Sequence, residues 1–136
     1  MEKKLCVYTD VGARGNPGPA GIGAVIQDED GRVLSEISQY IGSGTNNQAE
    51  YRALLAALDK AVSLGGSDLT CFLDSELVVK QLRGEYKIRE ASLQELAAQV
   101  LRITKSFRSI DFRHIPREKN KPADKLVNEA LDKAGF

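Results

Sequence analysis

Residues 4–10 read KLCVYTD, and residues 12–21 read GARGNPGPAG. The first stretch is rich in β-branched and aromatic side chains and ends on a carboxylate, which is typical of a strand that enters a Gly/Pro-rich loop. Residues 22–27 and 33–41 then roughly alternate apolar and polar side chains around an Asp-Glu-Asp-Gly turn at 28–31, as the strands of a hairpin do. The chain is therefore predicted to open with a three-stranded antiparallel meander.

From residue 45 onward the period of the apolar side chains becomes helical. The capping box Thr45-Asn46-Asn47-Gln48 predicts a helix that begins there and runs to about Leu64. Downstream, the pattern predicts a strand over 69–73, a helix capped by Ser75 that runs to about Arg83, a helix opened by a second capping box at 92–95, a strand over 110–115, and a helix from Pro122 toward Ala134. The resulting order, βββ, α, β, α, α, β, α, predicts an α/β fold in which a mixed sheet carries helices on both faces.

The 136 residues are 42% hydrophobic and 28% charged, which is ordinary for one soluble domain, and we expect a single domain over residues 1–136. The longest apolar run, residues 53–58, is far shorter than the roughly 20 residues of a membrane helix. The chain enters its first strand without the apolar segment of a secretion signal. We therefore expect a cytoplasmic protein that does not contact a membrane. We also expect a monomer, although no sequence feature addresses the oligomeric state.

Basic and acidic residues balance at 19 each, which gives no global argument for a nucleic-acid partner. Their distribution is uneven. Before Ser75 there are 6 basic and 10 acidic residues, whereas from Ser75 to the end there are 13 basic and 9 acidic residues. The second half, with Lys80, Arg83, Lys87 and Arg89, is compatible both with a phosphate-facing surface and with an ordinary solvated helix face.

The two cysteines, Cys6 and Cys71, lie in apolar, strand-like runs. Side-chain alternation places them on opposite sides of the sheet, so we expect free, inert thiols rather than a disulfide. The sequence contains no Cys-x-x-Cys pair and a single histidine. A zinc site is therefore not expected.

Four carboxylates occupy positions that core packing does not explain. Asp10 and Asp74 each follow an apolar strand, and parallel neighbouring strands would bring them together at the edge where open α/β sheets place their ligands. Glu50 falls within the apolar stripe of the first helix, where an unpaired carboxylate costs several kcal/mol. Asp124 lies in the first turn of the last helix. That position is compatible with a simple helix-dipole role and with membership of the same group.

Carboxylates that converge without histidine or cysteine favour a hard cation, and Mg²⁺ is the usual one where phosphates supply further ligands. Two such ions about 4 Å apart can activate a water and stabilise the leaving oxygen of a phosphoryl displacement, which is chemistry that cuts nucleic acid. Paired carboxylates also serve glycoside hydrolysis. A sugar cleft is usually walled by aromatic rings, however, and only 6% of the residues are aromatic, with no Trp.

Four motifs, in order, resemble the signatures of type I ribonuclease H. They are YTDVGARGNPGP at 8–19, TNNQAE at 45–50, LDS at 73–75 and HIPREKNKPAD at 114–124. The resemblance covers nearly the whole chain and implies the ribonuclease H-like fold, a five-stranded mixed sheet in the order 3-2-1-4-5 with strand 2 antiparallel to the rest. It also implies an endonuclease that hydrolyses the RNA strand of RNA–DNA hybrids to 5′-phosphate and 3′-hydroxyl products with Mg²⁺ or Mn²⁺.

The resemblance also implies roles for individual residues. The metal ligands would be Asp10, Glu50, Asp74 and Asp124, and the contacts to the hybrid would be Asn16, Thr45, Asn46 and Asn47. A small amide suits this task because it can read the 2′-hydroxyls that distinguish RNA from DNA. His114 stands ten residues before Asp124, as does the family's mobile-loop histidine, which is credited with proton transfer or product release. The alternative is a packed structural residue at a strand end.

Three features depart from the usual family pattern. Val11 stands where a glycine is common, and Glu76 stands where a glutamine that contacts the hybrid is common, so that its charge would repel phosphate. Only residues 84–90 separate the second and third helices, so the basic protrusion of many bacterial members is missing, as in the shorter archaeal and related bacterial branch.

Two alternative functions remain open from the sequence. Val11 and Glu76 are compatible with a catalytically silent module that binds hybrids or RNA without cutting them. A transposase- or resolvase-like nuclease would need Asp10 and Asp74 but not the TNNQAE helix, and the presence of that helix argues against it.

Overall fold

The computed structural model describes residues 2–15 and 17–136. In chain order the elements are β1 (Lys4–Ala13), β2 (Gly18–Asp28), β3 (Val33–Gly44), α1 (Asn46–Ser63), β4 (Asp68–Leu73), α2 (Glu76–Leu82), α3 (Ala91–Thr104), β5 (Ser109–His114) and α4 (Lys121–Lys133), with a 3-10 turn at Arg117–Lys119. The predicted order of strands and α-helices is confirmed. In the described part of the chain, no helix is long and apolar enough to cross a membrane.

The five strands form one mixed sheet in the order β3-β2-β1-β4-β5. The strand β2 runs antiparallel to both of its neighbours, β1 and β3. The strands β1, β4 and β5 are parallel. This is the predicted ribonuclease H-like topology, and it brings the carboxyl ends of β4 and β5 to the same edge of the sheet.

The two faces of the sheet are covered by different helices. Leu5 and Val7 of β1 point toward α1 and α3 and join the main hydrophobic core. On the other face, α4 packs closely on β1 and β2, and a Cβ at Gly23 would lie only 2.3 Å from the carbonyl oxygen of Ala123. Glycine is therefore required at that position, because any larger residue would push the start of α4 away from the sheet.

The strand β1 is longer than predicted, because it runs three residues beyond Asp10 to Ala13. Residues 11–13 pair only with β2, and Val11 lies opposite Ile22. Val11 therefore sits in extended backbone, which a β-branched residue favours. The departure at Val11 puts no strain on the chain.

Two of the three predicted caps are confirmed. The hydroxyl oxygens of Thr45 and Ser75 accept hydrogen bonds from the backbone N–H groups of Gln48 and Val78, at 3.2 and 3.3 Å. The predicted cap at Ser92 is wrong. The helix α3 begins earlier, after Glu90, and has no side-chain cap.

Tertiary contacts explain this error. The side chain of Gln94 donates to the carbonyl oxygen of Ile88 at 2.8 Å, and Ile88 packs against the main core. Packing of the loop therefore sets the start of α3.

The start of α4 also differs from the prediction. Pro122 lies inside the first turn of α4, at its second residue, rather than at its first residue.

The two thiols lie on opposite faces of the sheet, as predicted. Cys71 is paired in register with Val7, and both residues belong to the main core. Cys6, one residue away on β1, points to the other face, and both cysteines are free.

Candidate active site

A cleft of about 340 Å³ lies where β1 runs past the end of β4. It is bordered by the start of α1 and by the turn before α4, and its lining consists of Asp10, Val11, Gly12, Ala13, Asn46, Glu50, Asp74 and Arg117. Three of these eight residues are carboxylates, so the cleft concentrates negative charge at the sheet edge that the sequence singled out.

The register of two strands brings Asp10 and Asp74 together. The strands β1 and β4 pair in parallel up to Thr9 and Leu73, and the next residue of each is the aspartate. One carboxylate oxygen from each of Asp10, Glu50 and Asp74 can be chosen so that all three lie within 4.8 Å of one another. The predicted convergence of these three residues is confirmed.

Glu50 reaches this group from α1. The helix begins at the capped residue Thr45, and its buried face continues from Glu50 to Leu54, Ala57 and Leu58. Glu50 is only 6% exposed. The helix therefore presents an acid where its stripe would otherwise present an apolar side chain, as its position in the helical period predicted.

Burial in this group raises the pKa of two carboxyls. Removal from water is the larger cause for both, and the negative charge of Asp74 adds to it, so that the pKa of Asp10 and that of Glu50 each reach about 8. The backbone N–H of Val11 opposes the shift at Asp10. Without a cation nearby, both groups therefore hold a proton near neutral pH.

Two oxygens of this group have no protein partner. Asp10 Oδ2 and Glu50 Oε2 are buried and accept no hydrogen bond, although buried polar atoms are nearly always satisfied. The donor set consists of carboxylate oxygens, which are the ligands that hard divalent cations prefer. The residues present therefore fit a divalent metal ion.

Asp124 approaches the same group from the first turn of α4. Its carboxyl lies within hydrogen-bonding reach of Asp10, where it contributes to the raised pKa of that residue after burial and Asp74. On its other side, the guanidinium of Arg117 is 4.0 Å away. The structure thus places Asp124 next to Asp10, at the border of the mutually close trio rather than within it.

The four residues predicted to contact a hybrid have different positions. Asn46 is exposed and lines the cleft. Thr45 and Asn47 flank it and are half-buried, and the Thr45 hydroxyl is engaged in the cap of α1. Asn16 lies outside the described residues.

Sequence comparison places these features in a family. Residues 8–130 match the family model described as reverse transcriptase-like. Over 131 residues the chain is 42% identical to ribonuclease HI of Halobacterium salinarum, covering 96% of this chain and 66% of that protein. It is 46% identical over 132 residues to the bifunctional protein Rv2228c of Mycobacterium tuberculosis, covering 96% of this chain and 36% of that protein. The chain thus spans about a third of the latter relative's length and about two thirds of the former's.

Solved structures agree with this placement. The crystal structure of Halobacterium salinarum RNase H1 superposes with a TM-score of 0.93 at 41% identity, covering 96% of this chain and 98% of that one. The chain belongs to the type I ribonuclease H family. A second ribonuclease H, LC11-RNase H1 in complex with an RNA/DNA hybrid, superposes with a TM-score of 0.91 at 50% identity, with 96% and 98% covered.

The histidine of this ribonuclease H chain stands apart from the carboxylates. His114 is the last residue of β5, pairs in register with Leu73 and is exposed. Its charge lowers the pKa of Glu76, after the larger effect of Lys80. The structure therefore places His114 beside the start of α2, and it is not among the residues that line the cleft.

The acid at position 76 is compensated. The ammonium of Lys80, one turn further along α2, lies 2.9 Å from Glu76 Oε1, and the hydrogen bond from Lys80 lowers the pKa of Glu76. The pair is nearly neutral as a unit, so the repulsion of phosphate expected from Glu76 is partly offset.

Sequence reasoning did not single out Asn120, which is fully buried beside the carboxylates. Its side-chain nitrogen donates to the carbonyl oxygen of Thr9 at 2.7 Å and toward Asp74 Oδ2 at 3.5 Å. An asparagine immediately before a helix is typical of a cap, so its residue type carried no signal of this contact.

Proposed function

We propose that this chain is a metal-dependent endonuclease that hydrolyses the RNA strand of RNA–DNA hybrids. The observation that carries the proposal is the close approach of the Asp10, Glu50 and Asp74 carboxylates, two of which have buried oxygens without a partner. Membership of the type I ribonuclease H family supports the substrate, since LC11-RNase H1, 50% identical, forms a complex with an RNA/DNA hybrid. We take residues 1–136 as one such domain.

In this proposal the four acids Asp10, Glu50, Asp74 and Asp124 hold Mg²⁺ or Mn²⁺. Two bound ions would supply the charge that activates a water and stabilises the leaving oxygen, giving 5′-phosphate and 3′-hydroxyl ends. The protein's own part is to hold carboxylate oxygens at one sheet edge and to shield two of them from bulk water. The raised pKa of Asp10 and Glu50 then means that a cation must displace protons to bind near neutral pH.

The start of α1 is the proposed surface for the substrate. Asn46 would contact the minor groove of the hybrid from the wall of the cleft, because short amides both donate and accept at 2′-hydroxyls. We propose the same role for Asn47 and, from its motif alone, for Asn16. Thr45 would contact a phosphate at the N-terminus of α1, where backbone N–H groups favour anions. His114 would assist proton transfer or product release from the end of β5. A monomeric state and a cytoplasmic location stay predictions.

The test is cleavage of a labelled RNA–DNA hybrid with Mg²⁺, compared with all-DNA and all-RNA duplexes. Asp10→Asn and Glu50→Gln keep the size of each side chain and remove its charge. We expect each to lower the cleavage rate by more than about 100-fold, because losing only a hydrogen-bonding partner of a metal ligand typically costs about 10–100-fold. The matched control Asp59→Asn, on the exposed side of α1, should cut at the wild-type rate.

The silent-module alternative predicts a different result in the same assay. A wild-type protein that binds the hybrid but leaves it intact with Mg²⁺ and with Mn²⁺ would establish that alternative. No feature of the described residues favours it, since Val11 fits its strand and Glu76 is paired with Lys80. Equal cutting by wild type and Asp10→Asn would refute the assignment of the site.

A further inference from the structure

Asn120 is tied to two of the elements that build the carboxylate group. Its side chain is 0% exposed, and its nitrogen donates to the Thr9 carbonyl oxygen at 2.7 Å and toward Asp74 Oδ2 at 3.5 Å. Thr9 immediately precedes Asp10. The buried carboxamide of Asn120 thus lies between β1 and the end of β4, next to the positions of Asp10 and Asp74.

The backbone of Asn120 contacts the third element. Its carbonyl oxygen accepts from the backbone N–H of Asp124 at 3.1 Å, in the first turn of α4. Asn120 therefore contacts Asp74 and Asp124 directly and Asp10 through the preceding residue. Among the residues whose hydrogen bonds the structure gives, no other one bonds to the end of β1, to Asp74 and to the first turn of α4.

The side chain of Asn120 bonds to Thr9 and Asp74 instead of capping its own helix. Asn120 occupies the N-cap of α4, but its side chain makes no cap hydrogen bond, whereas Thr45 and Ser75 do cap their helices. Its Oδ1 is also buried without a partner. Asparagine is among the best N-cap residues, so turning its side chain away from the helix and toward the carboxylates needs a compensating reason. Violations of local rules of this kind are expected at functional sites.

We propose that Asn120 is a positioning residue that holds Asp74 and the end of β1 in the geometry that binds the metal ion. The inference rests on the proposed function in that it takes the carboxylates as metal ligands. A carboxamide suits this position because it donates hydrogen bonds at any pH and adds no charge to a cleft already crowded with acids. Ligating carboxylates elsewhere are oriented by such partners.

The test measures metal binding in the absence of nucleic acid. Asn120→Ala removes the donor, and Asn120→Leu removes it while keeping a similar side-chain volume. Asn128→Ala is the matched control, because Asn128 lies on the exposed side of the same helix. Calorimetric titration with Mn²⁺ should show binding about 10–100-fold weaker for both Asn120 variants and unchanged for Asn128→Ala. Hybrid cleavage by the Asn120 variants should recover when Mn²⁺ is raised by the same factor.

Thermal unfolding in EDTA separates positioning from a purely structural role. A cooperatively folded Asn120 variant with Mn²⁺ affinity within about twofold of wild type would overturn the proposal. If neither variant folds, the side-chain amide resonances of Asn120 in the ¹⁵N-labelled wild type decide. We expect them to exchange slowly and to shift with a saturating dependence on Mg²⁺, and no shift at saturating Mg²⁺ would overturn the proposal.

The nuclease proposal fails with a different signature. A wild type that binds Mn²⁺ but does not cut the hybrid would refute the enzymatic function and leave the Asn120 proposal standing on the titration. Full hybrid cutting that needs no more metal in the Asn120 variants than in wild type would support the nuclease and refute the role of Asn120.

Discussion

Glu50 couples the stability of the fold to the occupation of the site. It is 6% exposed, and burial followed by the charges of Asp74 and Asp10 raises its pKa to about 8. The pKa of Asp10 is raised to about 8 by the same kind of cause. In the unfolded chain both carboxyls return to ordinary values near 4. Between about pH 4 and pH 8 the folded state therefore binds more protons than the unfolded state.

We predict from this that the metal-free protein loses stability as the pH rises. A raised folded-state pKa contributes stability below the unfolded value, near pH 4, and that contribution is lost as the pH passes the folded value of about 8. In EDTA, Asp10→Asn removes one of the two groups. At pH 8 its melting temperature should be higher than that of wild type, and its free energy of unfolding should be larger by a few kcal/mol. Both differences should become smaller toward pH 5.

The control for this prediction is Asp59→Asn, because Asp59 is exposed on the same helix as Glu50. It should leave the melting temperature unchanged at both pH values. Added Mg²⁺ should stabilise wild type at pH 8 more than Asp10→Asn, since a ligand that binds only the folded state adds to its stability. A wild type whose stability in EDTA does not vary between pH 5 and pH 8 would contradict the raised pKa values.

The sequence predicted the carboxylates of the site but not their supporting residue. Glu50 could be found because the helical period alone places it on the buried face of α1, where its chemistry is out of place. Asn120 could not be found, because an asparagine before a helix is the ordinary choice for a cap. Only the three-dimensional contacts with Thr9 and Asp74 show that its side chain points elsewhere.

At the scale of the elements, the close packing of α4 on the sheet determines where Asp124 lies. Gly23 is the register partner of Asp10, and a Cβ there would meet the Ala123 carbonyl oxygen at 2.3 Å and the Val127 nitrogen at 3.0 Å. The first turn of α4, which carries Asp124, can approach Asp10 only because position 23 has no side chain.

Gly23→Ala should therefore impair the site as well as the fold. We expect a loss of about 1–3 kcal/mol in the free energy of unfolding, as for other overpacked positions, together with weaker binding of Mn²⁺. Gly21→Ala is the comparison, because its Cβ would meet Leu131 and Val127 at 3.2 Å, further along α4. Urea unfolding should show a cost for both variants, but Mn²⁺ titration should change only for Gly23→Ala. Equal metal binding by the two variants would contradict this account.

The two capping boxes read alike in the sequence but differ in the structure, and substitution should show it. Thr45 caps α1 reciprocally with Gln48, so Thr45→Ala should cost about 1 kcal/mol of stability and Thr45→Ser much less. Ser92 lies inside α3 and makes no cap, so Ser92→Ala should change the free energy of unfolding by less than about 0.5 kcal/mol. Urea denaturation measures all three, and a cost for Ser92→Ala as large as that for Thr45→Ala would refute the difference.

At the scale of the whole molecule, the alternation of strand and helix patterns predicted the element order and the mixed sheet. The exact ends of elements were not predictable, because β1 continues past Asp10 through its pairing with β2 alone, and such a ladder is a non-local contact. The meeting of Asp10 and Asp74 likewise depended on parallel pairing of β1 and β4. The alternation of strands and helices favoured that pairing, and the structure shows it in the observed register.

The uneven charge distribution gives the last prediction. Ile88 packs against the main core, while its neighbours Lys87 and Arg89 are exposed between α2 and α3. This segment follows the C-terminal end of α2, the helix that begins directly after Asp74. We expect both cations to contact phosphates of a hybrid that extends beyond the cleft. The slope of log affinity against log salt should fall by about 0.9 for each phosphate contact removed. We therefore expect Lys87→Ala/Arg89→Ala to reduce the slope by nearly 2.

The control removes the same charge from the far end of the helices. Lys60 lies in the last turn of α1, about 20 Å along the helix axis from Asn46, and Lys105 follows the end of α3. Hybrid affinity is measured in EDTA, so that no strand is cut, over a series of salt concentrations. Lys60→Ala/Lys105→Ala should leave the slope close to the wild-type value, because these positions are too distant to contact a phosphate at the cleft. Equal slopes for the two double variants would mean that general charge, rather than a surface next to the carboxylates, attracts the nucleic acid.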